Sequence, residues 1–457
     1  MVFQNNVLAG GAGGSGTTTY AIDQSIRFND NDTAHMTRTF GSGNQKVWTM
    51  SFWVKRANLG TGQRIISRRT GGGSTTATMG FLVTTDQFDF YDPSNGGQLI
   101  TDAVFRDSSA WYNFVINYEA SNSIQSERLR IYVNGTRQTF TTNVAISDAN
   151  GNFNAAVVHA IGKYQYNNTE YLDGYLAEIV WIDGTALDPS SFAEENENGI
   201  WIPKDVSELT FGTNGFHIDG RDSADLGDDE SGNGNDFTTS GLAAHDQVSD
   251  SPSNNFCTYN SIQLQSGATL SDGNLDAVSS GSSWRNVHST IGVSSGKWYW
   301  EVKADVIDST ESWIAGIQET SFESKSNYWW QAGYTASTSG IVFGVLHNNY
   351  KVTNTTRTSF THDIAQGDIV QFQLNLDDNE LTVLVDGVSK GKIYDITADT
   401  EYTPAVCLYN TSSATINFGQ EGTFGGTETA GGNSDGNGVG NFKYSVPSGY
   451  LALCTKN

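Results

Sequence analysis

Gly296-Lys297-Trp298-Tyr299-Trp300-Glu301-Val302 is the stretch whose reading decides the fold. Trp298, Trp300 and Val302 share one parity, while Tyr299, Glu301 and Lys303 share the other. This is the period-2 pattern of a half-buried β-strand. Similar apolar pieces follow at Trp313-Ile314-Ala315-Gly316-Ile317, Gly367-Asp368-Ile369-Val370, Tyr402-Thr403-Pro404-Ala405-Val406 and Ile416-Asn417-Phe418-Gly419. Between them, Gln371–Leu376 and Leu381–Val385 flank an Asp377–Glu380 turn, and Asp386-Gly387 makes the next tight turn.

The first half has the same texture. Ser25–Phe28, Trp48–Lys55, Gln63–Ser67, Gly80–Val83, Trp111–Ile116 and Leu129–Val133 read as strands, and Asn134-Gly135 is a hairpin signal because both turn positions need positive φ. Asp173–Gly184 reads as a closing strand. It leads into a short helical turn at Leu187–Phe192, capped by Asp188 with Pro189 at its first position. No apolar stretch follows a helical period. A chain of 457 residues with 50 Gly, 6 Pro, 11 Trp, 19 Tyr and 23 Phe is therefore expected to fold as two or three all-β domains.

Charge limits the partners. The chain carries 25 Lys+Arg against 50 Asp+Glu, a net charge of −25. Such a surface repels nucleic acid and anionic membranes. No run reaches membrane-spanning length, and Met1-Val2-Phe3-Gln4 lacks the basic and apolar regions of a signal peptide. Assembly in a cytoplasm is expected. Cys257, Cys407 and Cys454 are too scattered for a disulfide framework, and Cys407 reads as a small core residue.

The ordered motifs over Ser295–Gln420, about a quarter of the chain, resemble the SPRY domain, a two-sheet sandwich that binds through its loops. The Trp111 strand followed by Tyr132-Val133-Asn134-Gly135 resembles the laminin-G and concanavalin A-type jelly roll. Asp173–Phe192 with Trp201-Ile202-Pro203-Lys204 is similar to a segment of tailed-phage structural proteins, especially marine (cyanophage-like) ones. The fold class is thus expected to be all-β, with two β-sandwich (jelly-roll) domains in tandem. The domains expected are a tether at 1–20, a concanavalin A-like sandwich at 21–204, an acidic Gly/Asn-rich connector at 205–262 and a SPRY-like sandwich with a closing strand at 263–457.

The resemblance implies a non-enzymatic virion protein, a tail fibre or other adsorption appendage that meets a host surface glycan or receptor through its loops. Residues 1–20 would anchor it to other virion proteins through Val7 and Leu8, unless they are only a frayed terminus. Such appendages are usually trimers, whose avidity multiplies a weak site. The alternative is a head fibre or capsid decoration protein. Aromatics beside amides suit sugars or protein hot spots, and this selects Tyr164, Tyr166 and Tyr171 in one loop and Tyr328, Trp329 and Trp330 in another.

A glucan hydrolase would need two carboxylates flanking one bond. Glu178 and Asp183, at odd separation on one strand, are expected on opposite faces. There is no Gly-x-Ser-x-Gly elbow, no phosphate loop and no metal-ligand spacing among the seven histidines, so no catalytic residue is assigned. Asp229, Ser231, Asn233 and Gly234 partly match a calcium loop, but its twelfth position is Ser240. The jelly-roll resemblance makes Asp225, Asp228 and Asp229 candidate calcium ligands; a solvated acidic loop is the competing reading.

Overall fold

The computed structural model describes residues 20–69, 76–262, 264–321, 342–354 and 356–457. Two compact units emerge, the first built from Ile22–Pro252 and Tyr259–Val278, the second from Ser253–Thr258 and Ser279–Asn457. Both are β-sandwiches of antiparallel sheets, as the alternating patterns predict. Among the described residues no helix is long and apolar enough to cross a membrane.

The back sheet of the first unit runs Thr136–Arg137, Leu129–Val133, Trp111–Glu119, Val47–Arg56, Gly174–Asp183, Ser25–Phe28, Gln247–Val248, with Phe216–Ile218 also pairing to Gly174–Asp183. Its front sheet runs Phe140–Val144, Gly97–Val104, Gln87–Asp92, Thr76–Phe81, Gln63–Arg69, Val158–Ile161, His35–Thr39, Thr238–Ser240. Aromatic rings fill the space between the sheets. Trp48 stacks on Tyr118 at 4.7 Å and on Trp181 at 4.6 Å, joining three neighbouring back-sheet strands. Phe90 of the front sheet meets Trp48 and Tyr118 at 6.4 and 6.1 Å. Asn134 and Gly135 take φ of 46° and 73°, the expected hairpin turn. The Pro189–Ser191 turn forms with Pro at its first position, but Asp188 makes no side-chain capping bond.

Of the expected connector 205–262, residues 205–252 and 259–262 fold into the first unit, as do residues 264–278 expected in the SPRY-like sandwich, while 253–258 belong to the second. The connector's strands Phe216–Ile218, Thr238–Ser240 and Gln247–Val248 each extend a sheet of the first unit. Its carboxylates are internal fasteners. Asp250 pairs with Lys55 at 2.7 Å, with both side chains almost fully buried, and accepts Trp111 Nε1 at 3.0 Å. Asp246 pairs with buried Arg27 at 3.3 Å. Turn-rich composition reads as a linker only until the partners of its acids are known.

In the second unit one sheet contains Ser413–Asn417, Lys297–Val306, Ile369–Asn375, Glu380–Val385 and Val388–Asp395, in that order. The other runs Arg285–His288, Tyr402–Leu408, Trp313–Glu319, Val342–Leu346, Tyr350–Thr353, Thr356–Ser359. Trp300 stacks on its cross-strand partner Phe372 at 5.3 Å. The expected half-buried strand is in fact buried on both faces, with Tyr299, Glu301 and Lys303 as enclosed as Trp300 and Val302. The cover is the carboxy-terminal segment. Phe442 packs edge-on against Tyr299 at 5.1 Å, and Leu451–Ala452 adds a parallel strand beside Trp298 and Tyr299. Glu301 holds the segment, accepting the Tyr444 and Lys443 amides at 2.8 and 3.0 Å, Tyr299 O–H at 2.9 Å and Asn417 Nδ2 at 3.2 Å. The glycine-rich stretch before it is ordered by Asp435, whose carboxylate takes the amides of Asn437, Val439 and Ala452. All three cysteines are buried and unbonded to one another.

Removing an acceptor that serves two half-buried amides and two buried side chains leaves them unsatisfied, at about 1–3 kcal/mol for each buried group. Glu301→Ala is therefore expected to destabilise the second unit by about 3 kcal/mol or more, seen as a transition at lower urea. Glu301→Gln, which keeps one acceptor oxygen, should fall between. A wild-type midpoint for Glu301→Ala would mean that the segment is held by other contacts.

Candidate functional site

The front sheet of the first unit has one face whose side chains are fixed by what the other face must bury. Ala77, Met79, Phe81, Phe88, Phe90 and Leu99 point into the aromatic core. The residues between them, Thr78, Gly80, Asp89, Tyr91 and Gln98, therefore lie on the opposite, outer face. Register aligns them across the strands. Ser67 pairs with Thr78, Thr78 with Tyr91, Tyr91 with Gln98 and Gln98 with Val144, giving a continuous outer row of hydroxyl, aromatic, amide and aliphatic groups. The next row runs from Arg64 through Gly80 to Asp89. A Cβ at Gly80 would lie 2.1 Å from the Gln63 carbonyl oxygen, so a bulge here admits only glycine.

Across that gap Arg64 Nη1 approaches Asp89 Oδ2 at 3.5 Å, while Arg64 Nε donates to Glu170 Oε2 at 2.6 Å. Burial raises the pKa of Asp89, and the Arg64 charge and the Gln98 amide at 3.2 Å act against that rise. Glu170 sits at φ 51° and also accepts the Arg64 amide through its own carbonyl, so main chain and side chain both tie it to the sheet.

Glu170 closes a tight hairpin over the outer face. Tyr164 N–H donates to Thr169 O at 2.8 Å, and Asn168 N–H returns to Tyr164 O at 3.0 Å with Asn168 at φ 57°. Ser67 Oγ fastens the base of the hairpin, donating to Lys163 O at 2.7 Å and accepting Gln165 N–H at 2.8 Å. The hairpin brings Tyr164 and Tyr166 to a ring separation of 5.9 Å. The Arg64 guanidinium lies over Tyr164 at 5.6 Å and that of Arg69 over Tyr166 at 5.8 Å. Tyr166 is 42% exposed and Tyr91 38%, although both sit within a folded sheet and its hairpin. The third tyrosine of this loop, Tyr171, is half-buried and packs beside His35 at 5.9 Å.

The structure thus joins Tyr164 and Tyr166 into one surface and places Tyr171 against His35. Tyr328, Trp329 and Trp330, and the anchor residues Val7 and Leu8, lie outside the described residues. Tyr91, Arg64, Arg69, Asp89 and Glu170 were missed as site residues. The alternation Gln87-Phe88-Asp89-Phe90-Tyr91 held the signal for Asp89 and Tyr91, since its two Phe must point inward.

Among the proposed calcium ligands, Asp229 is spent on protein donors. It accepts His217 N–H and Ser231 N–H at 2.9 Å each, and Ser231 O–H and Asn235 N–H at 2.8 Å each. Asp225 accepts the Gly227 amide at 3.2 Å. Asp228 is exposed, and its pKa is raised by desolvation and by the neighbouring Asp236 and Asp225. Among the described residues no group of three or more His, Cys, Asp or Glu is arranged to hold a metal ion.

The two acids weighed for hydrolysis have separate partners. A bulge lies between Ala177 and Val180, and Glu178 within it takes φ 47°. Its carboxylate meets His217 Nε2 at 2.7 Å, with both side chains buried. Asp183 instead accepts the amides of Asn44 and Asn214 and the Asn154 side chain.

Two family models match within these boundaries. Residues 29–191 match the concanavalin A-like lectin/glucanases superfamily and residues 297–421 match the SPRY domain. The chain carries a concanavalin A-like domain followed by a SPRY domain. The concanavalin A-like match covers the hairpin with Tyr164 and Tyr166 and most of the front sheet, so the exposed tyrosines belong to that domain. Solved structures similar to the chain include the SPRY domain of human HERC1, at 17% identity over 35% of this chain and 96% of that one, with a TM-score of 0.29. The TRIM65 PSpry domain is similar at 16% identity over 35% of this chain and 91% of its own, also with a TM-score of 0.29. No curated protein sequence matches the chain.

The Glu178–His217 pair gives the concanavalin A-like domain a pH signature. Burial alone would lower the imidazole pKa, but the hydrogen bond and charge of Glu178 outweigh it and the net shift is upward. A raised folded pKa contributes stability below the unfolded value of about 6.5 that is lost as pH rises through the folded one. The unfolding midpoint of this domain is expected to fall as pH rises from about 6 to 8, and Glu178→Gln should flatten the slope. A wild-type slope retained in Glu178→Gln would assign the effect to another group.

Proposed function

We propose that the protein is a non-enzymatic binding component of a tailed-phage particle, an adsorption appendage that grips a host surface glycan. Its binding face is the outer surface of the concanavalin A-like front sheet. The observation that carries this reading is the exposure of two rings, Tyr166 and Tyr91, on this face, with the half-buried Gln98 amide paired across from Tyr91. Ring faces suit the C–H surfaces of a sugar, and an amide suits its O–H groups. Two carboxylates of this site, Asp89 and Glu170, are both tied to Arg64, which favours binding over acid–base work. The virion assignment rests on the resemblance of Asp173–Phe192 and Trp201–Lys204 to segments of phage structural proteins. In this reading residues 1–20, with Val7 and Leu8, attach to other virion proteins, and the body is a trimer.

A glycan array probed with the full chain is expected to show a restricted set of ligands. Tyr166→Ala should weaken binding to them roughly tenfold, about 1.4 kcal/mol, without shifting the melting temperature. An array profile unchanged in both Tyr166→Ala and Tyr91→Ala would overturn this site. Light scattering on the same preparation should report a trimer, and a monomer would contradict the fibre assignment.

A further inference from the structure

The charges around the tyrosine hairpin are unusual for this chain. Acids outnumber bases two to one, 50 to 25, so most cations have carboxylates within easy reach. Lys55 pairs with Asp250, Arg56 and Arg106 with Asp86, and Arg137 with Glu127. Arg69 departs from this pattern. It is the last residue of Gln63–Arg69, it is exposed, and among the described residues its charged group meets the Tyr166 ring and no carboxylate. The sequence that follows, Thr70-Gly71-Gly72-Gly73-Ser74-Thr75, contains no acidic residue. Lys163 at the base of the hairpin is similar. Its ammonium donates to the Asn168 side-chain carbonyl at 2.9 Å and forms no ion pair among the described residues. Burial lowers its pKa, the direction expected for a cation held without a counter-ion. The two acids at the site, Asp89 and Glu170, share Arg64, whose single charge offsets one of them. Three cations (Arg64, Arg69, Lys163) against two carboxylates (Asp89, Glu170) leave one positive charge, in a protein whose net charge is −25.

We propose that the sugar bound on this face is anionic, carrying a carboxylate or sulfate, and that Arg69 is the group that reads its charge. A guanidinium lying over an aromatic ring leaves the N–H edge of its fork free for a bidentate oxyanion. Tyr166 thus has two tasks, presenting a ring face to the sugar and supporting Arg69. Because the rest of the chain repels anions, an acidic polymer is admitted only where this local positive charge faces it, which gives selectivity over neutral glycans. The inference rests on the binding face proposed above and adds the chemical class of its ligand.

The test is affinity electrophoresis of the full chain through gels containing polygalacturonate, dextran sulfate or neutral dextran. Retardation is expected with at least one anionic polymer and not with dextran. Polygalacturonate alone would assign a carboxylate, and dextran sulfate alone a sulfate. Arg69→Gln should bind the anionic polymer roughly tenfold more weakly, the order expected for losing a charge-assisted hydrogen bond, with an unchanged melting temperature because Arg69 is exposed. Raising the salt should weaken the wild type more than Arg69→Gln. Retardation by dextran equal to that by polygalacturonate, unaffected by Arg69→Gln but lost in Tyr166→Ala, would overturn the anionic ligand and leave the binding face standing. Failure of both anionic polymers to retard the chain would also overturn it. If no glycan on an array is bound either, the binding face falls with it.

Discussion

The strand period of two is the constraint on which the candidate site depends. Phe88 and Phe90 are locked between the sheets by Phe114, Trp48 and Tyr118. With those rings inside, Asp89 and Tyr91 have no choice but the outer face. The same argument places Thr78 opposite Met79, and Gln98 opposite Leu99. A one-residue slip of Gln87–Asp92 would bury Asp89 and Tyr91 in an aromatic core and expose two phenylalanines. The core therefore fixes the chemistry of the surface, and the hairpin at Tyr164–Thr169 adds what a flat sheet lacks, a raised pair of rings.

Acidic residues have a different task in most of the chain. Asp229, Asp246, Asp250, Glu301 and Asp435 are all buried or nearly so, and each gathers backbone amides or a buried cation. A carboxylate with two to four donors replaces the regular hydrogen bonds that turn-rich segments cannot make. This explains how a chain with so many Gly, Asn and Asp residues holds its long connections in place. The surroundings of Arg69 and Lys163 differ, with cations that meet no carboxylate among the described residues.

Much of the fold was legible from residue pattern. Alternation at Trp48–Lys55 and Trp298–Val302, and the Asn134-Gly135 and Asp386-Gly387 turns, gave sandwiches with correctly placed hairpins. The stretch after residue 204 was misread because the signal for a linker and the signal for an acid-capped turn are the same residues. Which of the two holds depends on distant partners such as Lys55 and Arg27. Burial of both faces of the Trp298 strand was hidden for a similar reason, since its second cover comes from Phe442 and Leu451, well over a hundred residues later. Of the site, Tyr164 and Tyr166 were visible from aromatic–amide composition. Arg64, Gly80 and Asp89 become neighbours only through register, and the bulge at Glu178 could not be seen in a strand of near-continuous apolar residues.

The central claim is that ligand sits on the outer face of the front sheet beneath the tyrosine hairpin. Hydrogen exchange of the full chain with and without a saturating bound glycan tests it most directly. The account predicts slowed exchange confined to peptides covering 162–173 and the strands Gln63–Arg69 and Gln87–Asp92, with the SPRY domain unchanged. Protection appearing in the SPRY domain, with none at the hairpin, would contradict it.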